Sequence, residues 1–234
     1  MARTLDPAAH AVKRDAFLDA AQRLIQTKGY EGTSVQDVLF EVDTSKGAFY
    51  HYFDSKSALL DGVISRMVDG ALASVQPIVD DPALPATDKL RALFAGIAAF
   101  KTARKELLLA LIEVWLSDDN ALVRERFRRV VVARLTPVMA TIVREGQAEG
   151  LFDVTSPDDV AGVFVSFILS LNQSTTELFL ARQAGSISLD DVRRALDAQV
   201  EAMERILGAP SGSISLIDES MLHEWFNGTG RGLA

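Results

Sequence analysis

Apolar residues recur along most of this chain at helical rather than strand spacing. Strict alternation is rare, so the pattern predicts an all-α protein. A first helix is expected over about 10–28, with Phe17, Ala21, Leu24 and Ile25 on one face. Gly29 follows it, where a left-handed C-cap favours glycine. Thr33-Ser34-Val35-Gln36 reads as a capping box. Val35, Val38, Leu39 and Val42 then form an i, i+3, i+4, i+7 stripe, defining a short second helix that ends near 41–42. Asp43-Thr44-Ser45 makes a tight turn, and Ser45 caps a third short helix through about Phe53. Asp54-Ser55 starts a long fourth helix, whose buried side is expected to carry Leu60, Val63, Ile64, Met67 and Ala71.

Asp80-Asp81-Pro82 to Pro85 is the clearest break in the middle of the chain. Beyond it the pattern predicts helices over about 87–103, 105–117, 120–149, 157–183 and 188–207, with a kink or local break at Pro137. Ser156-Pro157-Asp158-Asp159 and Ser188-Leu189-Asp190-Asp191 are helix starts, each a serine followed by first-turn carboxylates. The segment Leu107–Leu116 is apolar nearly all round, which places it centrally and requires Glu113 to be paired, solvated or lining a cavity. The tail from Gly208 is glycine-rich, yet it carries Ile217, Met221, Leu222, Trp225 and Phe226 at helical spacing, which predicts one docked terminal helix.

Composition narrows the function classes. The 234 residues contain no cysteine, which excludes a disulfide framework, thiolate metal sites and thiol catalysis. No apolar run reaches the ~18 residues that cross a bilayer, and the N-terminus lacks the apolar core of a signal peptide. A soluble, cytoplasmic protein with no membrane partner is therefore expected. The net charge of −8 argues at first against nucleic acid, because phosphate neutralisation supplies most of such affinity. Residues 1–60, however, hold 7 basic against 8 acidic groups, so nearly all the excess acidity lies beyond them. The charge limits non-specific affinity without excluding a DNA-facing segment.

That segment is Thr33 to Leu60. A short helix, a tight turn and a second short helix form a helix-turn-helix over about 34–53, whose second helix can enter a major groove. Phe49 and Phe53, at i and i+4, can point inward, leaving Ser45, Lys46, Ala48, Tyr50, His51 and Tyr52 outside. Hydroxyls, an imidazole and a lysine donate to phosphate oxygens, and small or apolar groups can touch thymine methyls. Gly47 removes a side chain where the backbone would come closest to the duplex, and Lys56 sits in the first turn of the fourth helix, which favours a phosphate. By pattern alone, a helical hairpin that merely packs remains equally open.

The string Ser45-Lys46-Gly47-Ala48-Phe49-Tyr50-His51-Tyr52-Phe53, followed by Ser55-Lys56-Ser57-Ala58-Leu59-Leu60, closely resembles the recognition-helix signature of the TetR family of transcriptional regulators. The order Ala20-Ala21, Leu24-Ile25, Lys28-Gly29-Tyr30 and Gly32-Thr33-Ser34-Val35-Gln36-Asp37-Val38 agrees, so the resemblance covers about 14–62. It implies a homodimer of two-domain helical subunits: an N-terminal three-helix domain that binds a palindromic operator, and a larger C-terminal domain for an effector and dimerisation. It places the DNA-binding domain at 10–56, the effector and dimer domain at 57–208, and a tail with a terminal helix at 209–234. It makes Thr33 a phosphate contact. Thr44, Ser45, Lys46, Gly47 and Ala48 open the recognition helix, Tyr50 and His51 lie along it, and Tyr52 and Lys56 grip the backbone. Three positions depart from the family pattern: Asp43 replaces a turn glycine, Thr44 a common valine, and Ala48 a frequent threonine. The last removes one polar contact and points to a different operator preference.

Within the C-terminal region, Phe94, Phe100, Leu108, Glu113, Trp115, Met139, Phe164, Phe167 and Asn172 (with Gln173) are the candidates for a largely apolar effector pocket, core packing being the alternative for the apolar ones. Gly162, Ser166 and Ser170 form an i, i+4, i+8 stripe of small residues suited to close helix approach, either across a dimer or within the chain. Arg124, Arg126, Arg128, Arg129 and Arg134, interleaved with Glu125, read as a solvated face paired with acidic neighbours. The aspartate pairs are explained by capping, the three histidines lack ligand spacing, and no Walker, Rossmann or nucleophile-elbow motif occurs. No metal, cofactor or enzymatic activity is expected. The sequence supports a DNA-binding regulator, most simply a repressor released by a small ligand. A helical ligand carrier that does not use DNA is the second reading, and a small helical enzyme a poorly supported third.

Overall fold

A computed structural model of the chain describes residues 7–103, 105, 109, 116, 120–214 and 219–227. Every regular element among them is helical: α1 (Pro7–Lys28), α2 (Val35–Glu41), α3 (Lys46–Tyr50), α4 (Lys56–Val79), α5 (Ala86–Thr102), α6 (Ala121–Ala148), α7 (Pro157–Gln183), α8 (Leu189–Leu207) and α9 (Glu219–Phe226). The all-α expectation holds. Most of the helix expected over 105–117 lies outside the described residues. The described chain forms two compact units: residues up to 71 with those of 101–131, and residues 72–100 with those from 132 onward.

The first unit is built around an aromatic centre. Phe17, Leu18, Ala20 and Ala21 of α1, Val38 and Leu39 of α2, Phe49 and Phe53 around α3, and Leu59 and Val63 of α4 form one buried cluster. Phe17 meets Phe49 edge-on at 5.6 Å and Phe53 at 6.1 Å, geometries that add to area burial. Arg66 ties α4 to α1 through Asp19 (2.8 Å) and Gln22 (3.1 Å). The buried stripe of α4 uses Leu60, Val63, Ile64 and Val68, whereas Met67 is 42% exposed and Ala71 only half-buried. Both stripes satisfy a 3.6-residue period, so the packing partners decide between them.

Gly29 closes α1 at φ +72°, with its N–H bonded to the Ile25 carbonyl. The capping box of α2 is shifted one residue from the expected register. Ser34 Oγ accepts from the Asp37 N–H, and Asp37 receives the Ser34 N–H at 2.7 Å. Thr33 instead turns inward, donating its hydroxyl to the Gly29 carbonyl at 2.8 Å. After α2, Thr44 N–H bonds the Leu39 carbonyl and Asp43 N–H the Phe40 carbonyl, which is a Schellman closure with Asp43 at φ +47°. Glycine would adopt that conformation freely. An aspartate does so at a cost of ~1 kcal/mol, which packing on both flanks offsets. α3 is shorter than expected and ends at Tyr50, with Tyr52 and Phe53 held by N–H bonds to the Phe49 carbonyl.

In the second unit, Lys89 on α5 is 2% exposed and pairs with Glu145 of α6 at 2.7 Å, while Glu149 accepts the Ala86 N–H that opens α5. α6 runs through Pro137 without the local break that was one of the two expected outcomes. α8 is amphipathic, and Val192, Leu196, Met203 and Leu207 on its buried stripe pack it on α7. Gly208 ends it at φ +59°, where a Cβ would lie 2.2 Å from the Asp153 carbonyl oxygen, so no side chain fits. Glu204, 4% exposed, accepts the Gly212 and Ile214 N–H groups and so fixes the start of the tail. α9 then docks on α7 through Trp225 and Phe226 against Phe179, as the tail pattern predicts.

Candidate nucleic-acid interface

α3 sorts its side chains by face. Phe49 is fully buried and Phe53 5% exposed, anchoring the helix from below. Ser45, Lys46, Gly47, Tyr50 and His51 are exposed, and Thr44, Ala48, Tyr52 and Lys56 are half-buried. Tyr50 is 47% exposed, an unusual amount for a ring that packing alone would place. Ser45 Oγ accepts the Ala48 N–H at 3.2 Å, which caps α3 and leaves the hydroxyl proton free to donate outward. The Lys46 ammonium lies 5.9 Å from the Tyr50 ring centroid. At the start of α4, Ser55 caps Ala58 at 3.0 Å, and the Lys56 ammonium sits 4.1 Å above the Tyr30 ring. That ring is only 6% exposed, and burial pushes its phenol above the ordinary tyrosine value. Cation, hydroxyl and small-residue positions thus occupy one continuous stretch of α3 and the α4 entry.

Thr33 departs from its expected role as a phosphate contact. It is 3% exposed, and its hydroxyl is spent on Gly29, so it shapes the α1–α2 turn and is not presented to a ligand. Asn120, at the head of α6, accepts the Tyr30 N–H at 3.3 Å, and Arg126 pairs with Asp61 of α4. The arginine run from Arg124 is expected to be a solvated face paired with acidic neighbours. Arg128 and Arg129 do pair locally with Glu125, but Arg126 joins α6 to α4 across 65 residues of sequence, a separation with no local signal.

Below the recognition helix, the α2 cap is electrostatically tuned. The Ser34 hydroxyl, the Lys28 ammonium at 2.9 Å and the Ser34 N–H all hold the Asp37 carboxyl well below the usual carboxylate range. A carboxylate depressed on folding contributes stability that is present above its unfolded value and lost as pH falls towards its folded value. Thermal melts of the full chain should therefore lose stability below about pH 4, and Asp37→Asn should flatten that loss while lowering the melting temperature at pH 7.

Comparison with known proteins bears on this geometry. The model of the bacterial regulatory proteins of the TetR family matches residues 17–63, which spans α1 from Phe17, the helix-turn-helix and the start of α4. Over that segment the chain is similar to the DNA-binding part of TetR-family regulators. An HTH-type transcriptional regulator of Lactococcus lactis is 37% identical over 83 residues, 29% of this chain and 42% of the relative. The chain thus spans less than half of that protein. The HTH-type transcriptional repressor DhaR of Mycobacterium sp. strain GP1 is 26% identical over 58% of this chain and 68% of its own. The structure of SmeT, the repressor of the Stenotrophomonas maltophilia multidrug efflux pump SmeDEF, superposes with a TM-score of 0.58 at 16% identity, covering 88% of this chain and 94% of SmeT. At that identity the likeness shows a shared helical fold, reaching beyond the matched segment.

The remaining TetR-type candidates fall unevenly. Met139 and Phe164 are fully buried in the second unit, while Phe94 and Phe167 are half-buried there. Phe100, 40% exposed, and Asn172 stand at the surface, which corrects their expected enclosure in a pocket. Leu108, Glu113 and Trp115 lie outside the described residues. On α7, a Cβ added at Gly162 would meet nothing within 4 Å, Ser166 and Ser170 are exposed, and Val163 is 60% exposed. The small-residue stripe is therefore unpacked among the described residues, which argues against its use within the chain. α7 is also long and apolar enough by composition to cross a bilayer, and it carries charges at both ends, Asp158 and Asp159 in its first turn and Arg182 in its last.

Proposed function

We propose that this chain is a sequence-specific transcriptional regulator that acts as a homodimer on a palindromic operator and is released from it by a small, largely apolar effector. The observation that carries the reading is the division of α3: two phenylalanines locked in the core, and a serine, a lysine, a glycine, a tyrosine and a histidine presented on the opposite face. Ser45, Lys46, Gly47, Ala48 and Tyr50 are assigned to base edges and nearby phosphates, with Thr44, His51, Tyr52 and Lys56 to the backbone. The near-neutral balance of residues 1–60 makes non-specific binding weak, so affinity depends on a matched site and on both subunits. The DNA partner implies a cytoplasmic location.

The exposed small-residue face of α7, with α8 beside it, supports a helix bundle between two copies. Effector binding would act through α4 and α6, each of which contributes residues to both compact units. The Asp61–Arg126 and Tyr30–Asn120 contacts give a displacement of α6 a direct hold on the DNA-binding helices. A coupling of about 1–3 kcal/mol is typical of such linkage. SmeT has been crystallised with triclosan, an apolar aromatic ligand, which fits the proposed effector class.

Selection of duplexes from random-sequence DNA by the purified chain tests the reading. Enrichment of an inverted repeat with half-sites about one helical turn apart, or somewhat more, is expected. Recovery of no shared sequence would overturn it in favour of a ligand carrier.

A further inference from the structure

The three histidines look scattered in sequence, yet two of them meet at the DNA-facing end of the first unit. His10 lies on the α1 face that also carries Lys13, Arg14 and Phe17. Its ring stacks on Tyr52 at 4.5 Å with a 33° tilt and meets His51 edge-on at 5.9 Å. Phe17, two turns further along the same face, reaches Tyr52 at 5.5 Å, so the phenol is held between a core phenylalanine and a surface imidazole. His51 completes the group edge-on to Tyr52 at 5.4 Å. Lys13 and Arg14 sit over the Phe17 and Phe53 rings, which keeps this face of α1 turned towards the end of α3. Among the described residues, no hydrogen bond fixes the Tyr52 hydroxyl or either imidazole, so ring contacts alone set their positions.

We propose that His10 is a positioning residue for operator binding, acting through Tyr52. By covering the outer face of the phenol, it holds the hydroxyl in one orientation before DNA arrives, so that no ordering cost falls on the complex. Ring shape and stacking carry this role, and hydrogen bonding from the imidazole does not. The inference rests on the proposed DNA-binding function and on Tyr52 as a backbone contact.

The test is a double-substitution cycle on the full chain, read as affinity for a duplex selected by the unaltered protein from random DNA. His10→Ala should weaken binding about tenfold, since a ring contact worth a few-fold is lost in each of two subunits. His10→Phe should recover most of that loss. Tyr52→Phe should weaken binding by a similar factor, and adding His10→Ala to it should cost no more than about twofold further, with the chain folded and its melting temperature lowered by only a few degrees across the set. Three results would each overturn the proposal: full multiplicative loss in the double variant, His10→Ala within twofold of the parent, or His10→Phe as weak as His10→Ala. The last would make His10 a direct phosphate contact. If the unaltered protein selects no duplex, the DNA-binding reading fails and the role of His10 fails with it.

Discussion

Replacing Lys46 and Tyr50 together by alanine will reduce operator affinity by roughly a thousandfold or more while leaving the chain folded. Each lost base or phosphate contact removes ~1–3 kcal/mol, and a dimer loses every contact twice, so ~4 kcal/mol is a lower bound for two residues. Little stability should go with it. Lys46 is exposed, and its ring contact, at 5.9 Å from the Tyr50 centroid, is at the outer edge of a useful cation–π distance. Tyr50 meets Phe49 edge-on at 5.3 Å, a contact worth ~1 kcal/mol. Circular dichroism melts paired with anisotropy titrations separate the two quantities. A matching fall in stability would show that α3 packs through these residues and does not present them.

The neighbouring position should behave in the opposite way. Phe49→Ala is expected to cost about 3–5 kcal/mol of folding stability, the range for deleting a buried phenylalanine. Phe49 is 0% exposed and contacts Phe17 and Phe53 at 5.6 and 5.9 Å, so the ring is the junction between α1, α3 and the entry to α4. Against a typical total of 5–15 kcal/mol, that loss unfolds the first unit in a large fraction of molecules. Urea titration should show a lowered midpoint, and operator binding should fall with it. One step along the helix thus separates a binding defect from a folding defect. If Phe49→Ala melted like the parent, the aromatic centre would not be what holds α3.

Much of this was legible in the sequence because its determinants are local. The stripe Val35, Val38, Leu39, Val42, the Ser45 cap and the inward pair Phe49 and Phe53 lie within one or two turns of each other, and each appears in the structure on the expected face. Local rules failed where two neighbours could serve the same end. Thr33 and Ser34 were both plausible caps, and Ser34 takes the role because Asp37 closes on it while Gly29 claims the Thr33 hydroxyl. Met67 and Val68 both fit the α4 stripe, and only the tertiary partners exclude Met67. The contacts that join distant elements left no trace at all. His10 and Tyr52, Asp61 and Arg126, and Glu204 with the tail amides are brought together by the fold, and no spacing rule relates them. The small-residue stripe of α7 was legible from its i, i+4, i+8 spacing, and among the described residues nothing packs at Gly162.

Whether α3 reads a DNA sequence is decided by an anisotropy titration of the full chain. It should use the duplex the chain itself selects and a scrambled duplex of equal length, each at two salt concentrations. Tight, salt-dependent binding to the selected duplex is expected, with at least a thousandfold weaker binding to the scrambled one and loss of the difference in the Lys46→Ala/Tyr50→Ala variant. Equal affinity for both duplexes, or discrimination that survives the double substitution, would contradict it.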